Sequence, residues 1–201
     1  MKGTGWLAGF PVMNSVMPGD SVSHFDFLGS SIDIGFRLSR FASPRKFIFS
    51  VELAYVLSAP GKLIENGFRY HGKEILKGVL ANRPYPIFWL DCFVGCPKPL
   101  PQFVKLALLE DEMTNEHGKS FERIQMGKFT AAWIDSTEEE IARPFCPGET
   151  SKRFPIPEDY EEKRESALAE LEREFLELGE LGLDEGDDED FGQIRDKIDD
   201  F

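Results

Sequence analysis

The stretch Asp26-Phe27-Leu28-Gly29-Ser30-Ser31-Ile32-Asp33-Ile34-Gly35-Phe36-Arg37-Leu38 decides how the chain is read. A loop carrying an acid passes through Gly29 into a segment with Ile32, Phe36 and Leu38 among polar residues. With Ser30 and Ser31 as N-cap candidates, the pattern predicts a short helix over 30–41 that ends before Pro44. On it Asp33 and Arg37 stand four residues apart, so both side chains share one face near the helix start. Spacing alone makes them a local surface ion pair contributing about 0.3–0.5 kcal/mol.

Outward from this helix, residues 3–12 (GTGWLAGFPV) predict a strand, and 13–24, with Met17-Pro18-Gly19-Asp20, a turn or loop. Residues 46–51 predict a strand and 52–57 a helix. Residues 68–79 predict two short strands around a His71-Gly72 turn. Residues 84–90 predict a strand that Pro84 and Pro86 confine to a sheet edge or to its own start. Residues 101–115 and 136–143 are read as helical. From Pro157 the pattern changes: Leu168, Leu171, Phe175 and Leu178 form one apolar stripe on a helix of about five or six turns. Beyond Gly179 the run to Asp190 has no apolar period and is read as a disordered acidic tail. No internal repeat is present.

The chain has 201 residues, enough for one domain with or without a tail. Hydrophobic residues make up 41%, with 18 Phe and 3 Trp, which excludes disorder throughout. No apolar run approaches membrane-spanning length, and the N-terminus lacks the pattern of a signal peptide. The net charge of −13 is unevenly placed: residues 158–201 carry 19 acidic and 5 basic side chains, so residues 1–157 are at +1. A near-neutral body offers no basic footprint for nucleic acid. Three scattered cysteines, Cys92, Cys96 and Cys146, make no disulfide framework and imply a reduced, cytoplasmic protein.

Some motifs fail on inspection. Gly118-Lys119-Ser120 resembles the end of a P-loop, but Met113 stands where the first glycine belongs. Cys92 and Cys96 lack the paired partners of a zinc site and are read as buried and inert. His24, His71 and His117 have no recurring nucleophile or carboxylate beside them and are read as structural.

The Asp26–Leu38 stretch resembles the segment of class III nucleotidyl cyclases in which an Asp or Cys near the base is followed by Gly, Val-Asn and then Arg. Asp26 matches the base-contacting position, Gly29 the Gly, Ile32 the Val, Asp33 the Asn and Arg37 the Arg. Gly3–Gly9 resembles the preceding Gly-rich strand, and Pro44–Ser50 the strand that follows. The phrases KGTGWLAGFPV, DFLGSSIDIGFRLSRFASPRKFIFSVELA and LKGVLANRPYPIFW are similar to the pyrimidine cyclases of Pycsar antiphage systems, extending the likeness to about residue 90.

The resemblance implies an α+β fold: residues 1–100 as the C-terminal half of a cyclase-like, ferredoxin-like domain, then a helical or irregular extension over 101–157. An amphipathic helix over 158–180 and an acidic tail over 181–201 complete it. It implies conversion of UTP or CTP to cyclic UMP or cyclic CMP plus diphosphate, a second messenger that activates a downstream effector. Arg37 and Asp33 take catalytic positions, and Asp26 and Gly29 bind substrate. A homodimer would share the site between protomers. The family's cofactor is a pair of Mn²⁺ or Mg²⁺ ions. Its metal-binding aspartates lie on an early strand and hairpin that have no counterpart here, so no metal ligand is expected in this chain, which is read as truncated and inactive by itself. Asp33 also departs from the family's Asn. The alternative reading is a non-catalytic cyclase-like module that binds a partner protein through the 158–179 helix.

Overall fold

A computed structural model describes residues 2–18, 25–59, 67–95, 99–114, 119–137, 140–145 and 154–180. It is a mixed α+β structure that divides into two compact units, one of residues 1–7 and 30–144, the other of residues 8–29 and 145–201. No helix among the described residues is long and apolar enough to cross a membrane.

The first unit is built on a five-stranded sheet. In spatial order it holds β1 (Thr4–Gly5), β4 (Lys46–Phe49), β6 (Pro84–Asp91), β5 (Phe68–Ile75) and β7 (Lys119–Ser120). β1 runs parallel to β4, and the other pairings are antiparallel. Only Thr4 and Gly5 of the predicted 3–12 strand join the ladder. The chain leaves the sheet at Trp6 because that ring is needed elsewhere: it lies against Gly35, where any Cβ would collide with it. Gly35 belongs to α1 (Ser30–Leu38), which continues into a 3-10 turn at Ser39–Phe41, so the predicted helix is present. Ser31, Ile34, Gly35 and Leu38 form its buried stripe, and α1 packs on β1 and β4.

The predicted strand at 46–51 and helix at 52–57 appear as β4 and α2 (Val51–Leu57). Ser50 caps α2, its hydroxyl accepting from the Leu53 N–H at 3.2 Å. The two strands expected around His71-Gly72 are one strand, β5. His71 is an extra residue between the Tyr70–Phe88 and Gly72–Ile87 pairs, a bulge that Gly72 absorbs at φ 132°.

Of the two places the prolines allow, the structure takes the second: Pro84 and Pro86 stand at the start of β6, which is the middle strand of the sheet and not an edge, with Tyr85, Ile87, Phe88 and Trp89 buried. The prolines survive there because β4 pairs only with Phe88–Asp91, leaving the Pro84–Pro86 half bonded to β5 alone. Of the two later helices, α3 (Gln102–Thr114) matches the sequence reading. The one expected at 136–143 is instead α4 (Arg123–Asp135), and residues 140–145 are not helical. α4 buries Met126, Thr130, Trp133 and Ile134 and packs on α2. Gly127 permits the approach, since a Cβ there would sit 2.7 Å from Ser58 Oγ.

In the second unit, the predicted loop at 13–24 holds a strand. β2 (Asn14–Pro18) pairs antiparallel with β3 (Phe25–Gly29). The acid-bearing loop before the helix is therefore β3. The late amphipathic helix is present as α5 (Tyr160–Glu180), with Leu168 and Leu171 buried. The acidic tail lies outside the described residues.

Candidate functional site

The four candidate residues fall on two elements. Asp26 lies on β3 opposite Met17, and Gly29 ends that strand opposite Asn14. Gly29 has φ 148°, and a Cβ there would lie 2.7 Å from both the Asn14 Cα and the Met13 carbonyl oxygen. The hairpin thus needs glycine at 29 for its own sake. Asn14 is fixed in turn, its Nδ2 donating to the Gly9 carbonyl at 2.9 Å.

Asp33 and Arg37 come together as their spacing predicts. Arg37 Nη2 donates to Asp33 Oδ2 at 3.4 Å, with the side chains 37% and 55% exposed. This is one long contact, far from the bidentate fork that a guanidinium can offer a carboxylate. Arg37 Nε is buried and has no hydrogen-bond partner among the described residues. The guanidinium lies against the β5–β6 connection, where a Cβ on Gly78 would be 3.7 Å from Nη2.

That connection is strained. Leu80, Ala81 and Asn82 have φ of 48°, 47° and 62°, and a left-handed conformation costs a non-glycine residue roughly 1–2 kcal/mol. Local bonds hold it: the Gly78 N–H donates to Asn82 Oδ1 at 3.2 Å and the Arg83 N–H to the Leu80 carbonyl at 2.7 Å. Arg83 is itself tied to Ser136 through Nη1 to the carbonyl and Nη2 to the hydroxyl. Alongside, Arg40 Nη2 donates to the Ile75 carbonyl at 3.3 Å and its guanidinium covers the Phe41 ring. Strain of this kind collects where a surrounding structure over-determines a segment, often beside functional groups.

Two buried polar clusters have no signal in the sequence, because their partners lie 33 to 66 residues apart. Arg45 donates to Asp91 Oδ2 through Nε at 3.1 Å and Nη2 at 2.7 Å, and through Nη1 to Asp111. Lys46 Nζ reaches Asp111 Oδ1 at 3.3 Å. The Tyr85 hydroxyl donates to Glu52 Oε2 at 3.2 Å and accepts from the Val51 N–H at 2.8 Å. Burial pushes the Glu52 carboxyl above the ordinary range, and burial together with the Glu52 charge pushes the Tyr85 phenol well up.

No group of three or more His, Cys, Asp or Glu among the described residues could hold a metal ion. The buried aspartates, Asp91 and Asp111, are spent on Arg45 and Lys46, so this donor set does not fit the pair of divalent ions that the resemblance implies. Cys92, expected to be buried, is exposed, because it falls in the turn just past the end of β6. His71 Nε2 stands 3.6 Å from Glu74 Oε1, beside the Phe41 ring. Lys119 and Ser120 of the discarded P-loop pair with β5 as a strand. Cys96, Cys146, His24 and His117 lie outside the described residues. The chain matches no protein-family model, no curated protein and no solved structure.

Proposed function

We propose that the chain is the arginine-bearing half of a class III-type pyrimidine nucleotide cyclase. The observation that carries this reading is the state of Arg37: its side chain is 37% exposed and its guanidinium is held by a single 3.4 Å contact to Asp33. In cyclisation the ribose 3′-oxygen attacks the α-phosphorus, the 3′-hydroxyl proton is lost, and diphosphate leaves. Negative charge spreads over the phosphoryl oxygens in the transition state, and a planar guanidinium with free donors meets that charge with little reorganisation. The order of elements also supports the reading, since a Gly-rich strand (β1), the Arg helix (α1) and a further strand (β4) follow one another as the resemblance implies. Asp26 would accept a hydrogen bond from the base; cytosine and uracil both offer a donor, so it does not choose between them.

In this reading Arg37 acts on a triphosphate whose other contacts come from a second protomer, and this chain by itself does not turn over. The test is to incubate the 201-residue chain and the product of its complete reading frame with UTP, CTP, ATP or GTP and Mn²⁺, identifying products by mass spectrometry. Cyclic UMP or cyclic CMP from the product of the complete reading frame supports the proposal. Cyclic AMP alone would retain a cyclase and overturn the pyrimidine assignment. No cyclic product from either protein would leave the partner-binding module. For that second reading, Leu168 and Leu171 of the 158–179 helix are already buried and are not open to a partner.

A further inference from the structure

The connection between β5 and β6 holds Leu80, Ala81 and Asn82 in the left-handed conformation, which residues other than glycine avoid. Burial of Leu76 and Val79 fixes its first half. Ala81 and Asn82, at its tip, are exposed, so burial does not hold them. Arg83 holds the far end. Pro84 restricts the backbone before it to the extended region, and Arg83 lies there at φ −62° and ψ 136°. Its side chain crosses to the C-terminus of α4, where Nη1 donates to the Ser136 carbonyl at 2.7 Å and Nη2 to the Ser136 hydroxyl at 2.8 Å. The negative end of the helix suits a cation at that place. The guanidinium also covers the ring of Trp133, which is buried edge-on against Tyr85 at 5.2 Å. The fork thus ties the turn to a packed part of the molecule.

From Arg83 the contacts run on to Arg37. Asn82, the preceding residue, accepts the Gly78 N–H on its Oδ1 at 3.2 Å. Gly78 in turn is the wall beside the Arg37 guanidinium: a Cβ there would be 3.7 Å from Nη2, the same nitrogen that reaches Asp33. We infer that Arg83 is a positioning residue for Arg37, its fork on Ser136 keeping the turn left-handed and the turn keeping Gly78 against the guanidinium. Arg83 meets no substrate in this role. The inference rests on the cyclase reading, in which a misplacement of about 1 Å at a reacting group costs about a hundredfold in rate.

Arginine side-chain N–H spectra of the 201-residue chain, with the Arg37 signal assigned through Arg37→Lys, test the positioning without catalysis. Arg83→Ala should shift or broaden the Arg37 Nε–H signal, and Ser136→Ala, which removes one of the two acceptors, should move it less. Arg69→Ala, which removes a bond to Ser120 at the opposite end of β5, should leave it in place. An Arg37 signal unmoved in Arg83→Ala overturns the inference. Turnover by the product of the complete reading frame, well below each melting temperature, is the second arm. Arg83→Ala should lower kcat about ten- to hundredfold with KM kept within about twofold, and Arg83→Lys, which can reach one acceptor, should recover part of the loss. In an Arg37→Ala background Arg83→Ala should cost nothing further, because its effect passes through Arg37. Losses that multiply would overturn the inference and leave Arg83 a role in stability alone. A wild-type protein that forms no cyclic nucleotide overturns the cyclase reading, and the Arg37 signal then decides the positioning by itself.

Discussion

Replacing Arg37 by alanine separates its two roles because the structure limits what the side chain contributes to folding. Its described contact is a single 3.4 Å bond to Asp33 between half-exposed groups on one helix. Such i, i+4 pairs contribute about 0.3–0.5 kcal/mol. Removing the side chain also removes a buried Nε with no partner, which offsets part of that loss. Arg37→Ala should therefore shift stability by less than about 1 kcal/mol, within the usual effect of a surface substitution. Transition-state arginines in phosphoryl transfer contribute about 10³ to 10⁵ in rate, or about 4–7 kcal/mol of barrier. The two readings thus differ by several kcal/mol and appear in different measurements.

The assay is kcat and KM for cyclic nucleotide formation by the complete protein, beside a thermal melt of each variant. A catalytic Arg37 meets its full target only as charge builds, so kcat should fall while KM changes little. Arg37→Lys keeps the charge and loses the planar fork, so it should remain strongly defective. A loss in kcat below about fivefold, equivalent to about 1 kcal/mol, would refute the catalytic role and leave the surface ion pair as the whole explanation.

Two further outcomes follow from the packing. Burial raises the Glu52 pKa, so the folded state holds that proton more tightly than the unfolded chain does, and stability falls as pH rises from the ordinary carboxylate value through the raised one. Glu52→Gln should flatten that part of the profile; parallel melting-temperature curves for the two proteins between acid and neutral pH would sink the assignment. Gly29→Ala forces a Cβ to within 2.7 Å of the Asn14 Cα and the Met13 oxygen at φ 148°, at a cost of at least about 2 kcal/mol and about 4–8 °C in Tm. Gly72→Ala, with φ 132° but nothing within 4 Å of its Cβ, should cost clearly less, and equal losses would show that crowding at Gly29 contributes nothing.

Elements whose stability is local could be read from the sequence, and those that depend on distant partners could not. α1 carries its own stripe in Ile34 and Leu38, and α2 its own cap in Ser50. The sequence points to 136–143 and not to α4 because Gly127 and Thr130 interrupt the apolar pattern of Arg123–Asp135. Both are there for α2 and for the backbone: Ser58 crowds Gly127, and the Thr130 hydroxyl bonds back to the Met126 carbonyl at 2.8 Å. Pro84 and Pro86 report only missing donors, so the sequence allows β6 to be an edge strand or one that begins at its prolines and does not choose between them. That β4 stops short of both of them is a fact of the sheet, not of the strand. The left-handed turn at Leu80–Asn82 is the extreme case, since leucine and alanine disfavour that conformation and only Asn82 hints at it.

The candidate site divides along the same line, and the division bears on function. The Asp33–Arg37 pair was legible because both residues lie on one helix. The environment of the guanidinium was not, and it is the environment that distinguishes one arginine here from another. Arg45 is buried, its Nε, Nη1 and Nη2 all directed at Asp91 and Asp111, so its fork is committed to holding α3 against the sheet. Arg37 makes one long contact through Nη2, is 37% exposed, and rests against a strained connection that neighbouring bonds hold in place. A guanidinium whose hydrogen-bonding capacity is committed to fixed carboxylates gains little from a new anion, because old bonds must break as new ones form. One that is positioned but unsaturated gains the full difference when charge arrives. That physical contrast supports Arg37 over Arg45 as the residue that meets a phosphoryl group, and it does so without appeal to sequence likeness.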